Sequence, residues 1–245
     1  MTGRKTDIED RDLNGDGIIQ STEIDKGTSM GSYDISGYLA NNVTWQDCTQ
    51  TNFYKSGSTP YAQSEYWGVM GTNYCKNLTY DGCVLSRFDA HCGVYNATIK
   101  DSTIAFAINS VGAGTFLIEN TTKLTGNNML SLRSDYGSTW EGTVIIKDSK
   151  LAGNNSTVYL VHTSWQDWYF GYTCYIPNII VDNFQTSART VYAYYLNNGN
   201  AFTSTTNPLT PMENYFLISR NKPSGYTLKA SNNSTINNNV TITNE

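Results

Sequence analysis

Apolar and polar residues alternate in short segments along the whole chain, and no segment carries a convincing helical period. In "NLTYDGC", which begins at residue 77, Leu78 and Tyr80 alternate with polar neighbours. In "TFLIENT", which begins at residue 115, Phe116 and Ile118 do the same. A period of two is typical of strands that bury one face. The pattern therefore predicts an all-β protein.

One seven-residue phrase recurs through the chain and predicts a repeating architecture. Its copies are "NVTWQDC" at 42, "NLTYDGC" at 77, "NATIKDS" at 96, "TFLIENT" at 115, "TVIIKDS" at 143, "NIIVDNF" at 178 and "NVTITNE" at 239, with a looser copy "YFLISRN" at 215. Two copies start only 19 residues apart, at 77 and 96, which is too short for a βαβ unit of about 30 residues. Fixed strands joined by variable loops are typical of a solenoid, so each phrase is predicted to be one strand of one coil.

Aligning the phrases places chemically similar residues in columns. One column holds Asn42, Asn77, Asn96 and Asn178. Five residues on, another holds Asp47, Gly82, Asp101, Asn120, Asp148 and Asn183, and beside it stand Cys48, Cys83, Ser102, Thr121 and Ser149. Coils stack about 4.8 Å apart, so we expect the asparagines to form a hydrogen-bonded ladder and the small residues to point inward. Cys48 and Cys83 would then be neighbours, either as stacked thiols or as a disulfide, which that separation permits.

These repeats resemble those of right-handed parallel β-helix proteins of the pectin-lyase-like superfamily. The resemblance covers residues 33–245 and implies a solenoid of about seven or eight coils. That superfamily includes polysaccharide lyases, glycoside hydrolases, phage tailspikes and surface adhesins. The fold alone therefore does not select an activity.

Residues 12–23, "DLNGDGIIQSTE", match the twelve-residue calcium loop of EF-hands. The predicted Ca²⁺ ligands are Asp12, Asn14, Asp16, the carbonyl of Ile18, Gln20 and Glu23. A hard cation takes six to eight oxygen ligands, and Gly17 stands where the loop must turn sharply. The loop resembles the isolated calcium loop of dockerins. We expect residues 1–32 to form a calcium-stiffened cap or junction; the alternative is a linker that binds no metal.

The strand that follows each phrase carries the candidate chemistry. In "VLSRFDAHCG", which begins at residue 84, alternation predicts that Arg87, Asp89 and His91 face outward. Stacking would set them beside Arg133 and Asp135, and these five are the candidate catalytic residues. Carboxylates and histidine can transfer protons, and arginine can stabilise developing negative charge. The candidate ligand-binding residues around them are Asn109, Tyr136, Trp140, His162, Trp165 and Trp168.

Composition narrows the function classes. The 245 residues carry a net charge of −5 and contain no basic run, which argues against a nucleic-acid groove or an anionic-membrane patch. The sequence contains no apolar stretch of about 18 residues, so it predicts no membrane-spanning segment. The N-terminus lacks the apolar segment of a signal peptide. The abundance of polar, uncharged residues favours an extracellular, cell-surface or virion-associated protein. The alternative is an intracellular β-protein with a polar surface. Either the protein is not secreted through a signal peptide, or the sequence is a piece of a longer chain with other domains.

Two hypotheses follow, and the sequence leaves enzymatic activity open between them. The first is a carbohydrate-directed module that cleaves a polysaccharide as a lyase or a glycoside hydrolase. The second is a non-catalytic module of the adhesin or phage-tail type that binds glycan or acts as a spacer. A polar outer face held by ordinary ion pairs is the structural alternative to any site.

Overall fold

A computed structural model describes residues 35–38, 40–49, 70–134, 139–164, 174–197, 209–211 and 215–245. Its strands are β1 Ile35–Tyr38, β2 Asn41–Gln46, β3 Met70–Asn73, β4 Cys75–Asp81, β5 Val84–Lys100, β6 Thr103–Glu119, β7 Thr122–Lys123, β8 Asn128–Arg133, β9 Trp140–Lys147, β10 Lys150–Leu151, β11 Thr157–Ser164, β12 Cys174–Ile176, β13 Asn178–Asp182, β14 Gln185–Thr186, β15 Thr190–Asn197, β16 Leu209–Pro211, β17 Phe216–Arg220, β18 Thr227–Ser231 and β19 Thr241–Asn244. Within the described residues a short helix, α1, spans Ser234–Asn238. The predicted all-β class is confirmed.

Parallel strands stack into a long ladder that contains the repeated phrase. It consists of β2, β4, the second halves of β5 and β6, β9, β13, β17 and β19. Its register joins equivalent phrase positions, as in Leu78 with Ala97 and Ala97 with Phe116. These three side chains are buried. The predicted alternation and the stacking of successive phrases are both confirmed.

Two further ladders complete the turn of the chain around the core. A short ladder joins the first two residues of β5 and β6 to β7, β10 and β14. A second ladder runs through β3, the middle of β5 and of β6, β8, β11, β15 and β18. Buried side chains of all three ladders, such as Ile99, Ile104 and Leu132, belong to one core cluster. The chain therefore forms a parallel, solenoid-like sheet around a single core.

The column of Asp, Asn and Gly after each phrase forms the turn that ends the long ladder. All six residues have a left-handed backbone, with φ from +44° at Asn120 to +65° at Gly82. Asn, Asp and Gly tolerate this conformation best. The amide of Asn120 donates to Asp101 at 2.6 Å, and that of Asn183 donates to Asp148 at 2.7 Å. This turn column explains why the phrase keeps its ending while the loops vary.

The asparagine ladder is confirmed for three of its four predicted members. Asn77 Nδ2 donates to Asn42 Oδ1 at 2.8 Å, and Asn96 Nδ2 donates to Asn77 Oδ1 at 2.9 Å. The ladder stops at Gly114, which has no side-chain amide. A side chain is excluded there because a Cβ atom would lie 2.3 Å from Asn96 Oδ1. Asn178 keeps its aligned position, in register with Thr143 of the preceding phrase, but its Oδ1 is buried without a hydrogen-bond partner. The prediction of a ladder hydrogen bond at Asn178 was therefore wrong.

The small-residue column points inward, as predicted. Cys83, Ser102, Thr121 and Ser149 are all buried. The Ser102 hydroxyl donates to the carbonyl of Lys100 at 2.7 Å, and the Ser149 hydroxyl donates to that of Lys147 at 2.7 Å. Each hydroxyl thus binds the carbonyl two residues before it and holds the turn from inside. Cys48 and Cys83 are free thiols in the structure.

The last two phrase copies are shifted from the register that the alignment predicts. Leu217, not Phe216, lies opposite Ile179, and Ile242, not Thr241, lies opposite Leu217. The shift arises because Asn221 takes the left-handed turn conformation, with φ +41°, one residue later than the alignment places it. The turn residue, and not the first polar residue, therefore fixes the register.

A column of charged residues runs along the outside of the long ladder, one position before the turn column. In register from coil to coil it reads Asp81, Lys100, Glu119, Lys147, Asp182 and Arg220, and Glu245 pairs with the last of these. The signs alternate at every step. Lys100 lies 2.9 Å from Asp81, and Lys147 lies 2.6 Å from Glu119. Opposite charges on neighbouring strands stabilise the pairing, whereas like charges oppose it.

None of the helices in the described ranges is long and apolar enough to cross a membrane.

Candidate functional site

Five residues from five stacked strands form a row on the outward-facing side of the second ladder, and the first of them, Asp89, is buried there. In register they are Asp89, Asn109, Ser131, His162 and Tyr195. We call them the site row. Neighbouring strands lie about 4.8 Å apart, so the row is a continuous line of polar and aromatic groups along the solenoid. The stacking of Asp89 with Asn109, predicted from the repeats, is confirmed.

A bend in the second ladder orients the row. In β8, β11 and β15 two consecutive residues are buried, as at Leu160 and Val161, and the register skips the position of Leu160. Such an irregularity shifts the alternation by one residue. As a result Ser131, His162 and Tyr195 are half-buried on the outer side. The facing of His162, which alternation alone leaves ambiguous, follows from this bend.

Aromatic rings from two coils cluster on the row. The Tyr195 ring lies 3.9 Å from that of Tyr159 and 5.5 Å from the His162 imidazole, centroid to centroid. Tyr192 stacks on Tyr159 at 5.9 Å, and Lys229 Nζ lies 5.6 Å from the centroid of the Tyr192 ring. We call Tyr159, His162, Tyr192 and Tyr195 the aromatic cluster. All four are half-buried, so their remaining surface faces solvent.

The imidazole of His162 is held close to its neutral form. Burial lowers its pKa, and the nearby charge of Lys123 lowers it further. Its Nδ1 is buried without a hydrogen-bond partner. Because neutral histidine has one nitrogen that accepts a proton, His162 is competent as a base near neutral pH.

Asp89 differs from the prediction that it faces solvent. Its side chain is 0% exposed and lies 2.8 Å from Arg87 Nη2, and the Arg87 side chain is itself only 12% exposed. The strand lies between β3 and β6, with Asp89 in register with Gly71 on one side and Asn109 on the other. Removing one partner of a buried ion pair is costly. Asp89 therefore orients Arg87 and is not an accessible general base or nucleophile.

The structure places the other predicted catalytic residues only in part. Arg133 lies at the end of β8, two residues beyond Ser131 and in register with Ser164. His91 lies in β5, but its side chain is outside the described part of the structure, and Asp135 lies outside the described residues altogether. The structure thus joins Arg87 to Asp89 and places Arg133 two coils farther along the same face.

The remaining predicted ligands separate into three groups. Asn109 and His162 lie in the site row. Tyr136, Trp165 and Trp168 lie outside the described residues, as do the predicted calcium ligands at positions 12–23. Trp140 is 0% exposed, donates from Nε1 to the carbonyl of Gly114 at 3.0 Å and packs on Phe116. It belongs to the core because it begins β9 at an inward position, so the structure corrects its predicted place at the rim of a site.

Two features of this region were missed by the sequence analysis. The first is the run of tyrosines at 159, 192 and 195, which the register of β11 with β15 brings together. The second is Lys123, which lies in the core in register with Ile104 and Leu151. Its ammonium donates to the carbonyls of Thr125 at 3.0 Å and Asn128 at 2.6 Å, and burial lowers its pKa to about 7. The alternation of tyrosines with apolar residues was a visible sign of the first feature; a lone lysine on an inward parity was the sign of the second.

Among the residues that the structure describes, no group of three or more His, Cys, Asp or Glu side chains is placed to hold a metal ion. No protein-family model matches the chain, and no curated protein and no solved structure matches it either.

Proposed function

We propose that the site row and the aromatic cluster form a glycan-binding surface, and that the chain is a carbohydrate-directed module. The observation that carries the proposal is the partial exposure of four aromatic rings beside a line of polar side chains on one outer face. A sugar ring presents an apolar face of C–H groups and a rim of hydroxyls. Aromatic faces suit the first, and amide and hydroxyl groups suit the second.

The polar half of the proposed surface supplies directional contacts. Asn109 offers both a donor and an acceptor, and Ser131 offers a hydroxyl that serves as either. Lys229, at the edge of the aromatic cluster, adds a positive charge. Because the row crosses successive coils, it suits an extended chain of sugars that runs along the solenoid.

A glycan array probed with the full chain tests the proposal. Glycans that bind are then titrated by calorimetry against Tyr195→Ala and against Tyr95→Ala. Tyr95 is 52% exposed on the long ladder, away from the cluster, and is the matched control. We expect Tyr195→Ala to weaken binding at least about tenfold, the equivalent of 1.4 kcal/mol, and Tyr95→Ala to leave it unchanged. Equal losses in both variants, or an array without binders, would contradict the proposal.

Cleavage of the bound glycan is the second candidate function, and His162 favours it. A neutral imidazole can remove a proton, and Arg133 lies nearby in the second ladder to stabilise an anionic intermediate. Release of reducing ends would indicate hydrolysis, and new ultraviolet absorption would indicate elimination. We expect either signal to disappear in His162→Ala while binding persists. Binding without either product would assign the module to the adhesin or phage-tail type.

We further propose the finer assignment that the sequence suggests: a right-handed, pectin-lyase-like β-helix of about seven or eight coils at residues 33–245, following a calcium loop. The parallel solenoid-like sheet supports the first part. We also propose an extracellular, cell-surface or virion-associated setting within a longer protein.

The proposed calcium loop has its own experiment. Calorimetry of the full chain with Ca²⁺ is expected to show one site, weakened at least about tenfold by Glu23→Gln because the bidentate ligand is lost. Glu119→Gln, in the charge column, is the control and is expected to bind Ca²⁺ as the wild type does. Absence of binding in the wild type would assign residues 1–32 to a linker.

A further inference from the structure

We propose that Cys48 and Cys83 are a disulfide site that ties the first coil of the phrase to the second. The two residues hold equivalent positions just after the turn column. The backbone N–H of Asp47 donates to the carbonyl of Asp81 at 2.8 Å, and that of Val84 donates to the carbonyl of Cys48 at 2.8 Å. The chains therefore run side by side at this point. Neighbouring strands lie about 4.8 Å apart, within the Cα separation of about 4.4 to 6.8 Å that a disulfide spans.

The two thiols point the same way. Cys48 Sγ lies 3.3 Å from the carbonyl of Gln46, and Cys83 Sγ lies 3.5 Å from that of Asp81, in each case two residues back. Cys83 Sγ also lies 3.4 Å from the carbonyl oxygen of Trp45, an atom of the neighbouring coil. Both sulfurs thus occupy the inner side of the turn, one above the other.

Later coils carry hydroxyl groups, not thiols, in this column. Ser102, Thr121 and Ser149 occupy the same column, and their hydroxyls donate to the carbonyl two residues back. Thr121 and Ser149 also donate to a carbonyl of the preceding coil. A thiol is a weaker donor than a hydroxyl. Two adjacent thiols therefore hold the turn less well than hydroxyls do, unless they are joined.

Access sets the order of the chemistry. Cys48 is half-buried, whereas Cys83 is 0% exposed. The Cys48 thiolate attacks one sulfur of a small disulfide such as oxidised glutathione, and one glutathione thiolate leaves. The Cys83 thiolate then attacks Cys48 Sγ of the mixed disulfide, and the second glutathione leaves. Two cysteine thiols are oxidised, one oxidised glutathione is reduced to two thiols, and the leaving thiolates take up the two protons.

Burial raises the pKa of the Cys83 thiol to about 11. Because thiolate is the attacking species, the second step is expected to accelerate as the pH rises from 7 to 9. The cross-link would close a loop that runs from residue 48 to residue 83 and includes the long segment after β2. Closing a loop of this length removes conformational freedom from the opened coil. The first coil should therefore open less often.

Mass spectrometry of the full chain tests the proposal. The protein is incubated with excess oxidised glutathione, blocked with N-ethylmaleimide and digested. We expect a peptide pair linked through Cys48 and Cys83, while the buried Cys75 remains alkylatable after unfolding. Hydrogen exchange of β2 is expected to slow at least about tenfold in the oxidised protein. The variant Cys48→Ser is expected to lose both effects, and Cys75→Ser to keep both.

The main measurement uses the wild-type chain, so it does not depend on the folding of any variant. Recovery of both cysteines in alkylated form after long incubation would overturn the proposal. So would a stable mixed disulfide of Cys48 with glutathione, or a cross-link from either residue to a third cysteine. Unchanged exchange of β2 in a protein that does carry the link would overturn the stabilising role.

Discussion

The outer faces of the long ladder and of the second ladder follow opposite designs. On the long ladder each column follows a regular pattern: the turn column repeats Asp, Asn or Gly, and charges such as Lys100 and Glu119 meet an opposite charge in the next coil. On the second ladder every coil contributes a different residue, from Asp89 to Tyr195, and the strands bend. Regular columns stabilise stacking, because each side chain meets a complementary one in the next coil, an amide beside an amide or carboxylate, or a charge beside its opposite. Variation produces a surface with a specific shape, which is why the proposed site lies on the bent face.

The largest effect is expected from a substitution that breaks the turn at the end of the long ladder, whose outer face we call the repeating face. Asp148 has φ +47° and accepts a hydrogen bond from Asn183. Asp148→Val forces a β-branched residue into the left-handed region and removes that bond, so we expect a loss of about 2–3 kcal/mol in the free energy of unfolding. Urea unfolding measures the loss.

The matched variants for this prediction come from both faces. Asp148→Asn keeps a residue that tolerates the left-handed backbone and should lose less than about 1 kcal/mol. Ser131→Val places the same β-branched side chain on an extended strand of the second ladder and should change stability by under about 1 kcal/mol. A loss at Ser131 as large as that at Asp148 would contradict the distinction between the faces.

The next effect concerns Lys123, whose ammonium binds the carbonyl of Asn128 where β8 of the second ladder begins. Burial lowers the lysine pKa to about 7 in the folded chain, against about 10.4 when unfolded. Between pH 7 and 9 the unfolded chain therefore binds the extra proton, and stability should rise with pH by up to about 1.4 kcal/mol per pH unit. Below pH 7 both states are protonated and this contribution is constant.

Urea unfolding at several pH values checks this sign. We expect Lys123→Met to remove the rise between pH 7 and 9, because no buried amine remains. Lys150 lies in the same short ladder, in register with Thr122, but is exposed, so Lys150→Met should keep the rise. The same slope in Lys123→Met and in the wild type would show that another group causes it.

The smallest effect is expected from reversing one charge in the charged column of the long ladder. Glu119→Lys places a positive charge between Lys100 and Lys147 and removes an ion pair of 2.6 Å. Exposed pairs contribute little, so we expect about a third or less of the loss in Asp148→Val. The loss should shrink at 1 M salt, where screening is strong. Ser131→Lys adds the same charge between Asn109 and His162, and its effect should not depend on salt.

The sequence predicts the outer face of the long ladder better than the bent outer face of the second ladder, for a physical reason. Alternation and the turn column depend on local backbone geometry, so Leu78, Tyr80 and the left-handed residues could be placed from the phrase alone. The site row depends on a bend in which two consecutive apolar residues are buried, and simple alternation assigns the residues after it to the wrong face. The stacking of Tyr159 on Tyr192 requires the register between coils, which variable loops conceal.

Burial inside the stack was equally hard to foresee. Trp140 and Asp89 carry polar atoms that suggest exposure, yet each is covered because a specific partner satisfies it, the carbonyl of Gly114 and the guanidinium of Arg87. Lys123 is inward because the turn after it supplies carbonyls. The partners of Trp140 and Lys123 are backbone carbonyls, of which residue type gives no sign, whereas the partner of Asp89 is a side chain only two residues away.

The alternating charge column also limits how a solenoid of this kind can change its length. Duplicating or deleting one coil would set two like charges in register, as when Lys100 came to lie beside Lys147. Adding or removing two coils would keep every neighbour opposite in sign. In such a stack, coils are therefore expected to be gained or lost in pairs, because only a change by an even number of coils keeps opposite charges in register.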